Sequence, residues 1–303
     1  MSILKRSSVI LLLMLVGTGL MACTNEAESK EEEPELHDEA SNNVSEAFKK
    51  LEEEFDVKLG VYAIDTGEDK EISFRENDRF AYTSTFKPLA AGAVLQTKSD
   101  EELQEVIRYT EEDLVTYSPI TEQYVDEGMT LVEISDAAIR YSDNTAGNLL
   151  LEAIGGPDDL ESVLRDIGDE TIEMERYETE LNEATPGDIR DTSTPKAMAN
   201  TLQQYVLKDT LDADRKELLT NMLINNTTGD ALIRAGVPEG WTVGDKTGAG
   251  GYGTRNDIGI IWPEGNKEPI VIAIMSSRSE EDAEYDDKLI EKATEIVVEE
   301  FSN

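Results

Sequence analysis

Apolar residues recur at helical spacing in the first stretch able to fold, at Val44, Phe48, Leu51 and Phe55. The pattern then changes to strand-like alternation through Val57-Lys58-Leu59-Gly60-Val61-Tyr62-Ala63-Ile64. Asp65-Thr66-Gly67 supplies a turn, and a second strand around Glu71 to Arg75 completes a hairpin signal. Near Tyr82 the character becomes helical, and from there to about Asn225 the chain reads as amphipathic helices joined by polar loops. Strand character returns in three runs, Trp241 to Lys246, Asp257 to Trp262 and Ile270 to Met275, before a last helix from about Glu280 to Phe301. No internal repeat is visible. A hairpin, a long helical insertion, three strands and terminal helices predict an α+β fold built as an α/β/α sandwich. Its five-stranded antiparallel sheet is flanked by the terminal helices. The inserted all-helical lobe (81–225) faces an α/β lobe made of 43–80 and 226–303, with the active site expected in the cleft between them.

The N-terminus changes the picture for residues 1–42. Lys5-Arg6, an apolar run from Val9 to Val16 and small residues after it form a secretory signal over 1–22, and the run is too short to span a bilayer. Leu20-Met21-Ala22-Cys23 resembles a bacterial lipobox, so Cys23 is expected to become a lipid-modified N-terminus anchored to the outer face of the cytoplasmic membrane, with some chain released. As the only cysteine, Cys23 excludes an internal disulfide and a multi-thiolate metal site. From Asn25 to about Ser41 the chain is Glu-rich and nearly free of apolar residues, which predicts a solvated tether over 23–42 and folding only from 43 onward.

The 303 residues carry 27 Lys and Arg against 66 Asp and Glu, a formal net charge of -39. Removal of 1–22 would leave 25 basic residues, and so strong an acidic balance disfavours nucleic acid and anionic membrane surfaces as partners. Such a surface suits high salt or an alkaline exterior, where repulsion is screened. His37, the single histidine, lies in the tether, so a Ser-His-Asp triad and a His-rich zinc site are both excluded.

The chemistry concentrates in four segments. Ser84-Thr85-Phe86-Lys87 sets a nucleophile and a base three residues apart, on one face if the segment is helical. Pro88 is tolerated in the first turn of a helix running on to Leu95, so Ser84 would stand at the positive end of its dipole. Ser142-Asp143-Asn144 follows the helical pattern Leu131, Ile134, Ala137, Ala138, Tyr141. Arg176-Tyr177-Glu178-Thr179-Glu180-Leu181-Asn182 sits in a polar loop before Pro186-Gly187, and Lys246-Thr247-Gly248-Ala249 ends a predicted strand. Gly250-Gly251-Tyr252-Gly253 lacks the strand-loop-helix setting of a phosphate loop and reads as a tight turn beside the site.

In this order the four segments resemble the class A serine β-lactamases, over essentially everything after the tether. The resemblance implies hydrolysis of the β-lactam ring of penicillins and cephalosporins through a serine acyl-enzyme, and hence antibiotic resistance. It implies no cofactor, no metal and a monomer. Ser84 is then the nucleophile and Lys87 its partner, with burial and the Lys246 cation favouring loss of the Lys87 proton. Glu178 is the base that drives a water in deacylation, helped by Asn182. Whether Glu178 or Lys87 activates Ser84 stays open. Ser142 passes a proton to the departing lactam nitrogen, and Asn144 bonds the substrate's amide side chain. Lys246, Thr247 and Arg255 bind its carboxylate. The backbone N–H groups of Ser84 and Ala249 form the oxyanion hole, Tyr117 stands at the rim, and Arg176 with Asp191 closes the neck of an omega loop. A cis peptide after Glu178 is a further expectation, although the next residue is Thr179 and not proline. Two rivals share much of this chemistry: a penicillin-binding D,D-peptidase, against which Glu178 and Asn182 argue, and a non-catalytic β-lactam-sensing lipoprotein.

Overall fold

The computed structural model describes residues 36–265 and 267–302, so the signal segment, Cys23 and the tether up to residue 35 lie outside the described residues. The five-stranded sheet consists of β1 (Lys58–Asp65), β2 (Lys70–Phe74), β3 (Thr242–Ala249), β4 (Arg255–Trp262) and β5 (Ile270–Ser277), in the spatial order β2-β1-β5-β4-β3. Every pairing is antiparallel. The central partner is the last strand: Val61 lies opposite Ile274 on one side, and Asp257 opposite Ile274 on the other. This explains why Ile270 to Met275 is a continuous apolar run, since a strand covered on both faces has no polar side to show.

The two faces divide the core in two. Leu59, Val61, Ala63, Ile272 and Ile274 pack with Phe48 and Leu51 of α1 (Leu36–Phe55) and with the C-terminal helix, while Tyr62, Ile258, Ile260, Val271, Ala273 and Met275 pack against the inserted lobe. That lobe holds α2 (Lys87–Thr97), α3 (Leu131–Arg140), α4 (Asn144–Ile154), α5 (Pro157–Asp166), α6 (Pro195–Val206) and α7 (Ala213–Ile224). At the centre of it, Lys87 to Leu95 of α2 are all buried, which is why its sequence is apolar without a polar stripe.

Two boundaries differ from the sequence reading. Helix α1 begins at Leu36 and not at Val44; extending a helix already anchored by Phe48 and Leu51 adds a hydrogen bond per residue without a new nucleus, so a polar stretch can follow the apolar one into helix. The closing helix α8 spans Lys288–Ser302 and starts later than Glu280. The intervening acidic stretch has other partners, because Asp286 caps the Lys288 amide and Asp287 holds Arg255. The helical lobe also contains two strand pairs two residues long, Phe80–Ala81 with Thr192–Ser193 and Val106–Ile107 with Met129–Thr130, too short to leave a periodicity in the sequence.

Candidate active site

Ser84 lies in a 3-10 turn, Thr83–Phe86, that runs directly into α2, with Pro88 in the helix's first turn. The preceding Thr83 has φ 49°, a costly backbone for a β-branched residue. It is held there by its own hydroxyl, which donates to the Tyr82 carbonyl, and by Asn256 on β4, whose amide donates to the carbonyls of Ala81 and Tyr82. Strand β3 reaches this turn because Gly248 has no side chain: a Cβ there would stand 2.2 Å from Thr83 Oγ1. Asn256 escapes motif reading, because a lone amide in a strand carries no local signal.

Lys87 is fully buried and is the hub of the site. Its Nζ donates to Ser84 Oγ at 3.0 Å, to the Ser142 carbonyl at 2.9 Å and to Asn144 Oδ1 at 2.6 Å, and stands 3.0 Å from Glu178 Oε1. Ser84 Oγ lies 3.4 Å from the same carboxylate oxygen. Burial pushes the Lys87 ammonium below its usual range, while the Glu178 carboxylate opposes the shift. The site is packed tightly enough at its centre that Gly147 of α4 is required: a Cβ there would meet Lys87 Cε at 2.9 Å.

The loop from Arg176 to Asp191 brings Glu178 to this point. Asp191 is fully buried and accepts from the Glu175 and Arg176 amides, from the Tyr82 hydroxyl and from the Arg176 guanidinium, which also pairs with Glu183. The Glu178-Thr179 peptide is cis. Asn148 on α4, absent from the sequence expectations, grips Glu178 by its backbone. Its Oδ1 accepts from the Glu178 N–H at 2.7 Å and its Nδ2 donates to the Glu178 carbonyl at 3.0 Å. Asn182 donates to Glu178 Oε2, leaving its own Oδ1 buried and without a hydrogen-bond partner.

On the opposite wall, Lys246 of β3 donates to Ser142 Oγ at 3.0 Å. Its pKa is lowered to about 7, first by burial and then by the neighbouring Lys87 cation. Thr247 Oγ1 shares a hydrogen with Thr228 Oγ1 at 2.7 Å. Ser142 has φ 56°, which turns it back from the end of α3, and Asp143 fixes that bend by accepting from the Ile120, Thr121 and Ala146 amides. Asn144 joins Lys87 to the Thr116 carbonyl, and beside it Tyr117 is 58% exposed at the rim. Ala249 ends β3 opposite Arg255. Arg255 is not a free cation: its Nε donates to Asp287 at 2.7 Å and its guanidinium stacks 4.6 Å from the Tyr285 ring centroid. All four motif segments therefore converge on one buried cluster, with Tyr117 and Arg255 toward its edge.

A model of the beta-lactamase enzyme family matches residues 43–301. The chain belongs to that family. A beta-lactamase of Bacillus subtilis (strain 168) is 54% identical over 95% of this chain and 94% of its own length. Among solved structures, a halotolerant bacterial beta-lactamase is 87% identical, with a TM-score of 0.84 over 84% of this chain and 98% of that one. The class A beta-lactamase of Clostridium kluyveri is 51% identical, with a TM-score of 0.85 over 86% and 100%. Within the family this chain is of the class A serine type, a hydrolase of β-lactams, and the D,D-peptidase alternative is not favoured.

Proposed function

We propose that this enzyme confers β-lactam resistance by opening the lactam ring of penicillins and cephalosporins in two steps, with the following residues in these roles. Ser84 Oγ bonds to the lactam carbonyl carbon while the backbone N–H groups of Ser84 and Ala249 receive the oxyanion. The hydroxyl proton passes to the Lys87 and Glu178 pair, both within reach. As the carbon–nitrogen bond breaks, the proton reaches the ring nitrogen through the Ser142 hydroxyl, a route supported by the hydrogen bond that Lys246 donates to Ser142 Oγ. Lys246, Thr247 and Arg255 attract the substrate carboxylate, Asn144 its amide side chain, and Tyr117 covers the rim. In the second step Glu178 takes a proton from a water, whose oxygen bonds to the acyl carbon as the Ser84 ester is released. The unpartnered Asn182 Oδ1 is suited to hold that water.

The observation that carries this reading is the Glu178 carboxylate, 3.4 Å from Ser84 Oγ and gripped through its backbone by Asn148. Its test is Glu178→Ala: penicillin should still acylate Ser84, and mass spectrometry should find the adduct accumulating. Rapid turnover without a trapped adduct would refute the role, and Ser84→Ala should abolish hydrolysis of a chromogenic cephalosporin altogether.

We also infer secretion and anchoring through a lipidated Cys23, supported by Lys5-Arg6, the apolar run and Leu20-Met21-Ala22-Cys23. The mass of the mature N-terminal peptide tests this, since an unmodified chain contradicts it. One chain supplies every group named above, so a monomer suffices.

A further inference from the structure

Asp191, at the end of the omega loop's return arm (184–190), receives hydrogen bonds on one oxygen from two directions. The Glu175 and Arg176 amides donate to its Oδ1 at 2.9 and 3.0 Å, from the arm that reaches Glu178 two residues later. The Tyr82 hydroxyl donates to the same oxygen at 3.1 Å, from the segment that reaches Ser84 two residues later. The Arg176 guanidinium takes Oδ2, and so closes the loop on itself without touching the nucleophile's segment. Among the described residues, Tyr82 is the one donor to this carboxylate from outside 175–191.

The hydroxyl is held rigidly. Tyr82 is fully buried, its ring centroid lies 6.0 Å from that of Phe86, and its backbone N–H donates to the Asp191 carbonyl at 3.2 Å. Its own carbonyl accepts from the Thr85 hydroxyl and the Asn256 amide, so this one residue is bound both to the turn that carries Ser84 and to the neck of the loop. Burial first, and then the Asp191 carboxylate, hold the phenol's pKa well above its ordinary value, which keeps it a donor.

We propose that Tyr82 is a positioning residue, which sets the register of Glu178 against Ser84 by holding Asp191 Oδ1 from the nucleophile's side. The proposal rests on the deacylating role given to Glu178 above. Without the hydroxyl, Arg176 still closes the neck, but the arm bearing Glu178 is free to shift relative to Ser84 Oγ, 3.4 Å from its carboxylate. Deacylation needs a water placed between that carboxylate and the acyl carbon, so it is the step more sensitive to such a shift. Acylation also has Lys87, 3.0 Å from Ser84 Oγ on the adjoining helix.

Tyr82→Phe keeps the buried ring and removes only the hydroxyl. Single-turnover and steady-state kinetics with a chromogenic cephalosporin, with mass spectrometry of the steady state, separate the two rate constants. The deacylation constant should fall about tenfold while the acylation constant stays within twofold of wild type, and the share of acyl-enzyme should rise. Tyr205→Phe is the control for lost stability, since it removes an equally buried tyrosine's hydrogen bond, to Gln96, outside the loop and the nucleophile's turn. An equal fall in both constants, deacylation within twofold of wild type, or the same split in Tyr205→Phe overturns the proposal. Glu178→Ala, measured alongside, keeps the two readings apart. If it traps the acyl-enzyme while Tyr82→Phe deacylates normally, only the role of Tyr82 falls; if it turns over freely, the base assignment falls and this proposal with it.

Discussion

Asn148→Ala isolates the placement of Glu178 from its chemistry. The substitution leaves the carboxylate, Lys87 and Ser84 in the protein and removes two hydrogen bonds, of 2.7 and 3.0 Å, to the Glu178 backbone. Each is worth on the order of 1 kcal/mol net, and an N–H or carbonyl left unsatisfied in a partly buried position adds about as much again. The sum is roughly 2–4 kcal/mol available to displace the loop. If all of it fell on the deacylation barrier, the rate would drop about 30- to 900-fold. Acylation can draw on Lys87 as well as Glu178, and Ser84 and Lys87 sit on the turn and helix opposite the loop, so it should suffer less. Stopped-flow hydrolysis of a chromogenic cephalosporin should therefore show a burst of about one equivalent followed by a slow steady state, where the wild type shows none. A deacylation rate within twofold of wild type, with an unchanged melting temperature, would refute the idea that Asn148 holds the base in place.

Arg176→Ala leaves the fully buried Asp191 without its guanidinium, a loss of about 3–5 kcal/mol for a buried pair broken on one side, softened here by the amides that also serve Asp191. A fall of several degrees in melting temperature is expected, and an unchanged value would contradict it. Lys246, with its folded pKa lowered to about 7 from 10.5, is mostly neutral in the folded protein above pH 7 while the unfolded chain still binds a proton. Unfolding then takes up a proton, so this group makes stability rise with pH between about 7 and 10.5; urea titrations should show wild type gaining on Lys246→Met across that window, and a constant difference would exclude it. With a net charge of -39, mutual repulsion should make the melting temperature climb between low and moderate sodium chloride, and insensitivity to salt would mean that the repulsion is negligible.

Much of this arrangement was legible in the sequence because it rests on local periodicity and spacing. Ser84 and Lys87 are three apart where a turn leads into the helix that has Pro88 in its first turn, and the five strands announce themselves by alternation or by apolar runs. What was not legible depends on partners distant in the chain. Asn148 is an ordinary amide in the middle of an apolar helix until the fold lays the loop across it. Asn256 matters only because β4 presses against the turn before Ser84. Arg255 looks like an unencumbered cation, but Asp287, in a stretch that resembled helix, has already claimed it. The two-residue strand pairs at Phe80 and Met129 carry no pattern at all.

Helix α2 is buried on every side from Lys87 to Leu95, and the nucleophile stands in the 3-10 turn that leads into it. Substitutions along that helix disturb the interior and the reacting groups at once, so the centre of the site tolerates little experimentation. Tyr117 and the return arm of the omega loop are under no such restriction. New drug preferences in this enzyme should therefore be acquired at its margins, through residues that never touch Ser84, while the helix beneath remains a frozen inheritance.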